Sequence, residues 1–239
     1  METKNTILVV PDVHGRTFWR KAKGHDGDVI FLGDYLDPYP HEGITMETAI
    51  KVFQEIIEWA KENPRVHLLL GNHDWHYIYS SFNATRKEFC YEDIVHDIFL
   101  RNSTLFHRYW FADGTLFTHA GLGKGWMRWI GQTNWREALD GADEKEMFAC
   151  GPERYGRQPV SGPLWLDFRE LDPLRPYFLH RDRLWLDDEV RFQIFGHTQH
   201  VETGCIAYGQ GWASIDSRAV FEVDPTNPTE TLALADFWR

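Results

Sequence analysis

Short apolar runs along this chain repeatedly end in polar clusters that contain glycine. Ile7–Val10 is an unbroken Ile-Leu-Val-Val run that stops at Pro11, which predicts a short buried strand. Residues 29–32 and 66–70 repeat the pattern. Between them, residues 45–62 carry Ala49, Ile50, Phe53, Ile56, Ile57 and Ala60 at helical spacing, and Asn63-Pro64 marks the stop. Residues 91–101 also read as a helix. Residues 109–111 and 116–118 flank Asp113-Gly114, a hairpin signal. Strand-like runs return at 191–195, 204–208, 212–215 and 219–223. The first third is therefore βαβ-like and the last third β-rich, which predicts an α/β fold with a mixed sheet. Residues 123–188 are less regular. They read either as a cap or specificity insertion on a single domain spanning 1–239, or as surface helices.

Composition narrows the picture. Of 239 residues, 43% are hydrophobic and 26% charged, the profile of an ordinary globular protein. The 11 Trp, 16 Phe and 9 Tyr predict a core packed with large rings. A net charge of −11 repels nucleic-acid phosphate and argues against general nucleic-acid binding. It does not exclude phosphate chemistry, because bound divalent cations reverse the local field. Cys90, Cys150 and Cys205 form no CxxC pair, so neither a disulfide framework nor a cysteine-rich zinc site is indicated. No signal-like segment opens the chain and no apolar run approaches ~18 residues, so the expectation is a cytoplasmic protein without a membrane partner.

The chemistry lies in five clusters, each following a strand candidate. They are Asp12-Val13-His14-Gly15, Gly33-Asp34-Tyr35-Leu36-Asp37, Gly71-Asn72-His73-Asp74, Thr118-His119-Ala120-Gly121 and Gly196-His197-Thr198. Ligands of open α/β sheets gather beyond the carboxyl ends of strands, so five strand ends can converge on one site. Carboxylate, imidazole and amide oxygen suit Mn, Fe, Zn, Ni or Mg, and thiolate is absent from the set. Asp12 and His14, two residues apart, can face one cation, and the two oxygens of Asp34 can bridge a pair. Each cluster alone is weak; the five in this order are specific.

Together they resemble the calcineurin-like metallophosphoesterase superfamily, over roughly residues 7 to 220. The likeness is to the serine/threonine protein phosphatase and diadenosine tetraphosphatase branch, through Thr118-His119-Ala120-Gly121 and the spacing from Gly33 to Asp37. Pro163-Leu164-Trp165-Leu166-Asp167 and Ile215-Asp216-Ser217 add weaker support. The resemblance implies a four-layer αββα sandwich of two mixed sheets flanked by helices. It implies two divalent metal ions, Mn²⁺ foremost, with Asp12 and His14 on the first, Asp34 bridging, and Asn72, His119 and His197 on the second. It also implies His73 as general acid, oriented by Asp37, and in-line attack on phosphorus by a metal-bridging hydroxide. The expected partner is a phosphorylated substrate: a small molecule, a nucleotide or a phosphoprotein. Oligomeric state is left open.

Two departures concern the phosphate grip. The branch carries Asp-Arg-Gly where this chain has Asp37-Pro38-Tyr39, and often an arginine where it has Leu70. Neither Pro nor Leu replaces a bidentate guanidinium. Arg16, Arg169 and Arg218 are the candidates to fill the role, with Arg218 and Arg16 as the substrate-binding residues expected. Position 199 is Gln where many members have a second ligand histidine, and His200, one residue late, points the other way on a strand. The leading function is phosphomonoester hydrolysis. The competitors are cleavage of a dinucleoside polyphosphate or phosphodiester, with Trp126, Trp129, Trp135 or Trp165 stacking on a base, and a non-catalytic metal-binding scaffold.

Overall fold

The runs at 7–10 and 29–31 become strands buried on both faces because they have no polar residue to expose. A computed structural model of the chain describes residues 6–79, 82–148, 161–171 and 182–235. It consists of two compact units. The first comprises Met1–His107 and Arg218–Arg239, the second Arg108–Ser217.

The first unit holds a six-stranded mixed sheet. Its strands are β1 (Ile7–Val10), β2 (Val29–Phe31), β3 (Val66–Leu69), β4 (Phe106–His107), β10 (Phe221–Val223) and β11 (Ala233–Leu234), in the order β11-β10-β1-β2-β3-β4. β1, β2, β3 and β4 run parallel, and β10 pairs antiparallel with β1. β1, β2 and β3 are buried along their whole length, as parallel strands covered on both faces must be. Helix α1 (Met46–Glu62) is capped by Thr45, whose hydroxyl accepts from the Thr48 N–H. It buries Ala49, Ile50, Phe53, Ile56, Ile57 and Ala60, the stripe its spacing predicts. The aromatic excess is used here: Phe53 stacks on Tyr35 at 4.9 Å and meets Phe99 and Phe106. Helices α2 (Asn72–Ile78) and α3 (Glu92–Arg101) follow in the same unit. α2 has no sequence prediction behind it, because its seven residues are mostly site residues.

The second unit holds a five-stranded mixed sheet of β5 (Tyr109–Ala112), β6 (Thr115–Thr118), β7 (Phe192–Phe195), β8 (Ala207–Gly209) and β9 (Trp212–Ser214), in the order β5-β6-β7-β9-β8. Asp113 and Gly114 both have positive φ, 47° and 89°, and close the β5–β6 hairpin as predicted. β6, β7 and β9 are parallel. The expected strand at 204–208 is found shifted, at Ala207–Gly209. Residues 123–188 fall inside this unit and contribute α4 (Lys124–Trp129), α5 (Trp135–Gly141) and α6 (Glu144–Met147). Residues 149–160 and 172–181 of that stretch, with Cys150, lie outside the described residues. The expected α/β class with two mixed sheets flanked by helices is therefore what forms. A last helix, α7 (Pro228–Thr231), lies in the first unit. Among the described residues, no helix is long and apolar enough to cross a membrane.

Candidate metal and phosphate centre

In the first unit, the loops that leave β1 and β2 are laced together by backbone hydrogen bonds. Val13 and His14 donate to the Asp34 carbonyl (3.1 and 2.7 Å), and Gly15 donates to Tyr35 (2.9 Å). The lacing brings Asp12, His14 and Asp34 together, with one ligand atom of each within 4.8 Å of the others. All three are buried. His14 Nδ1 donates to the Leu36 carbonyl at 2.7 Å, which fixes the tautomer and leaves the Nε2 lone pair 3.6 Å from Asp34 Oδ2. Burial holds the His14 imidazole well below its ordinary pKa, hence neutral, the form a metal requires. Burial, and then the Asp12 charge, push the Asp34 carboxyl well above its ordinary value. Two buried carboxylates beside one neutral imidazole form a donor set that a divalent cation fits, because the cation relieves their repulsion.

Asp74 joins the β2 loop to the β3 loop. Its Oδ2 accepts from the Asp34 and Gly71 N–H groups (2.7 and 2.8 Å) and its Oδ1 from Tyr35 (3.0 Å). The two loops approach so closely that a Cβ at Gly33 would meet Gly71 N at 2.4 Å, and one at Gly71 would meet Asp34 Oδ1 at 2.1 Å. Only glycine fits either position. Asn72 and His73 then open α2. Asn72 is buried, and the His73 N–H donates to Asp34 Oδ1 at 2.8 Å.

Asp37 backs His73 as expected: His73 Nδ1 donates to Oδ2 at 2.7 Å. Two further groups meet this carboxylate: Tyr77, which no motif flags, and His76, whose place three residues past His73 puts it near the site. Tyr77 Oη donates to Oδ1 at 2.6 Å, and His76 Nε2 lies 2.8 Å from Oδ2, off the in-line direction. His76 Nδ1 accepts from the Ala84 N–H, so the neutral ring carries its proton on Nε2, toward Asp37. Burial alone would raise the Asp37 carboxyl, but the hydrogen bond from His73 and the close approach of His76 pull it below the ordinary carboxylate value. Burial pushes the His73 imidazole down to about 4, against the pull of Asp37. The resting ring is thus neutral: desolvation outweighs the Asp37 carboxylate, which by itself favours the protonated form.

In the second unit, parallel neighbours β6 and β7 end side by side, so the residues that follow them converge. The Gly196 N–H donates to the His119 carbonyl at 2.7 Å, and His119 Nε2 lies 3.2 Å from His197 Nδ1. That separation suits two nitrogens on one cation with metal–nitrogen bonds of about 2.0–2.1 Å. Trp165 sets its ring against His197 edge-on, 5.4 Å away, and the Ala120 N–H donates to Pro163. The Pro163–Asp167 piece therefore supports the His119 loop. Trp126, Trp135 and Trp165 are buried, whereas Trp129 is exposed, so packing explains three of the four rings considered for base stacking. His200 stacks on Phe168, with Nε2 3.0 Å from the Ser214 carbonyl.

Backbone strain marks the same residues. His14, Asp34, Asp37 and His197 have φ of 45°, 53°, 55° and 69°, a region non-glycine residues rarely occupy outside functional or turn positions. Arg86 and Arg218 share it, at 66° and 60°.

Of the arginines expected to grip phosphate, Arg16 is bound bidentately by Glu42 (2.8 and 3.0 Å). Arg218 Nε lies 3.6 Å from the same carboxylate, and Arg169 is paired with Asp167. Arg86, in no sequence motif, lies beside His73 instead: its Nη2 is 3.3 Å from His73 Nε2. Its only sequence signal was the need for some guanidinium near Asp37-Pro38.

The calcineurin-like phosphoesterase family model matches residues 6–201. None of the curated proteins matches the chain. Among solved structures, a cold-active protein-tyrosine phosphatase of a psychrophilic Shewanella species superposes with a TM-score of 0.60 at 15% identity. That match covers 93% of this chain and 76% of the other. A protein serine/threonine phosphatase from Saccharomyces cerevisiae superposes with a TM-score of 0.55 at 17% identity, covering 94% and 75%. At these identities the likeness is one of fold.

Proposed function

The chain belongs to the calcineurin-like phosphoesterase family, whose reaction is metal-dependent hydrolysis of phosphoesters, and on that premise we propose that it hydrolyses phosphomonoesters. The observation that carries this reading is the buried Asp12–His14–Asp34 donor set, one imidazole away from the His73–Asp37 pair. The His14 and His73 rings meet edge to face at 5.1 Å. Asp12, His14, Asp34, Asn72, His119 and His197 hold the metal ions in this proposal; the donors accept Mn, Fe, Zn, Ni or Mg, and Mn²⁺ is the choice the family resemblance favours. When bound, the ions supply an acidified water and neutralise phosphoryl charge.

The remaining work falls to side chains of this unit. Asp37 holds His73 by Nδ1, which leaves Nε2 as the nitrogen for substrate. In the resting site Arg86 Nη2 lies against it and must turn to the phosphate when substrate binds. A phosphate dianion beside Nε2 favours the protonated ring, which then gives its proton to the leaving oxygen. Tyr77 and His76 keep Asp37 ionised and in place.

The test is release of p-nitrophenol from p-nitrophenyl phosphate with added Mn²⁺, with Asp34→Asn as control. Phosphopeptides, nucleotides and diadenosine tetraphosphate serve as competing substrates. Wild type is expected to be active and the variant nearly silent; equal rates would overturn the reading.

A further inference from the structure

Where the protein-phosphatase branch has an arginine after Asp37, this chain has Pro38 and then Tyr39. The ring of Tyr39 nevertheless carries a guanidinium. Arg86 Cζ lies 3.9 Å from the Tyr39 centroid, well inside the range of a stacked cation–π contact. The Arg86 Nε donates to the Asp37 carbonyl at 3.2 Å, and Nη2 reaches His73 Nε2 at 3.3 Å. Arginine only donates, so His73 Nε2 accepts there. The guanidinium therefore covers the one imidazole nitrogen that Asp37 leaves available.

Three features make this placement more than a surface contact. First, Arg86 is only part-exposed and is held by the backbone and ring of the very segment, Asp37 to Tyr39, that departs from the branch. Second, its backbone is left-handed, at φ 66°, a conformation that costs about 1 kcal/mol and persists only where the surroundings impose it. Third, its charge is not spent. Arg16 and Arg218 share Glu42, and Arg169 is paired with Asp167. Among the described residues, Arg86 has no carboxylate at ion-pair distance, and its Nη1 has no hydrogen-bond partner.

We propose that Arg86 grips the non-bridging oxygens of the substrate phosphoryl group beside His73, doing from the turn after α2 what the branch does from the position of Pro38. The proposal rests on the phosphoesterase reading above and narrows it. A terminal phosphate carries more negative charge and one more non-bridging oxygen than a diester, so it is the ligand a guanidinium fork prefers. Tyr39 is a positioning residue: it holds the fork flat and touches no substrate.

Calorimetric titration of inorganic phosphate into the Mn²⁺-loaded protein tests this without turnover. The proteins compared are wild type, Arg86→Ala, Arg86→Lys and Arg218→Ala, each with its metal content measured. Arg86→Ala is expected to weaken phosphate about 10- to 100-fold at unchanged metal loading, the worth of a charge-assisted pair. Arg86→Lys is expected to fall between, because it keeps the charge and loses the fork. The ratio of p-nitrophenyl phosphate to bis-p-nitrophenyl phosphate hydrolysis is expected to drop in both. Phosphate affinity within twofold of wild type in Arg86→Lys or Arg86→Ala would overturn the assignment, as would a loss confined to Arg218→Ala. Wild type that binds phosphate through Arg86 yet cleaves no monoester would sink the proposed function and leave the Arg86 assignment standing.

Discussion

In the first unit, Asp34 is fixed from every side. Its carbonyl accepts from Val13 and His14, its N–H donates to Asp74, and its Oδ1 accepts from His73 N–H. In the second unit, His119 and His197 sit where two parallel strands end, tied by one backbone bond and packed against Trp165. The difference follows from charge. Buried carboxylates repel one another and need both a rigid frame and a cation, whereas neutral imidazoles can share a proton or a metal at little electrostatic cost. The first unit thus carries the stronger electrostatic demand for a cation, and the second a pair of imidazoles free of that repulsion.

The largest effects should expose that asymmetry. Asp34→Asn is expected to cut Mn²⁺-dependent turnover on the order of 10³-fold, the several kcal/mol that metal charge stabilisation supplies. His197→Ala should cost only about 10²-fold, with metal still detectable by elemental analysis. Equal losses would erase the distinction between the units.

Asp74→Ala comes next, because it strands the Asp34, Tyr35 and Gly71 N–H groups in a buried loop. The expected loss is about 2–4 kcal/mol in urea unfolding, larger than for removing Trp165's neighbour His197. A loss below ~1 kcal/mol would mean that the two loops hold their geometry without the clamp.

The smallest effect is a pH dependence. Between the ordinary carboxylate pKa of 3.8 and its raised folded value, Asp34 in the metal-free fold keeps a proton that the unfolded chain has lost. Stability therefore falls as pH rises through that window, and a bound cation removes the penalty. The thermal shift on adding MnCl₂ should be a few degrees larger at pH 8 than at pH 5, about 1 kcal/mol, and the difference should vanish in Asp34→Asn. A shift independent of pH in wild type would break the electrostatic account of the first unit.

Much of this was legible in the residues. The runs at Ile7–Val10 and 29–32 had no polar face to expose, so burial in a parallel sheet was dictated locally. The helical stripe from Ala49 to Ala60 and the Asp113-Gly114 turn were equally local. The pairing of Asp37 with His73, 36 residues apart, was implied by the family resemblance, and the chemistry of a carboxylate bonded to an imidazole agrees with it. What the chain could not reveal was long-range. Asp74 clamps loops whose anchors lie some forty residues apart, and no periodicity records that. His76 reads as an ordinary core histidine until Ala84 fixes its tautomer and Asp37 faces its other nitrogen. Desolvation of His73 depends on neighbours from three segments, so the sign of its resting charge followed from packing. Arg86 is the clearest case. Set against the branch the chain resembles, Pro38 and Leu70 stand where an arginine is expected, and neither side chain can do a guanidinium's work. Which arginine fills the gap was decided by a turn that lays Arg86 across Tyr39, a matter of tertiary placement.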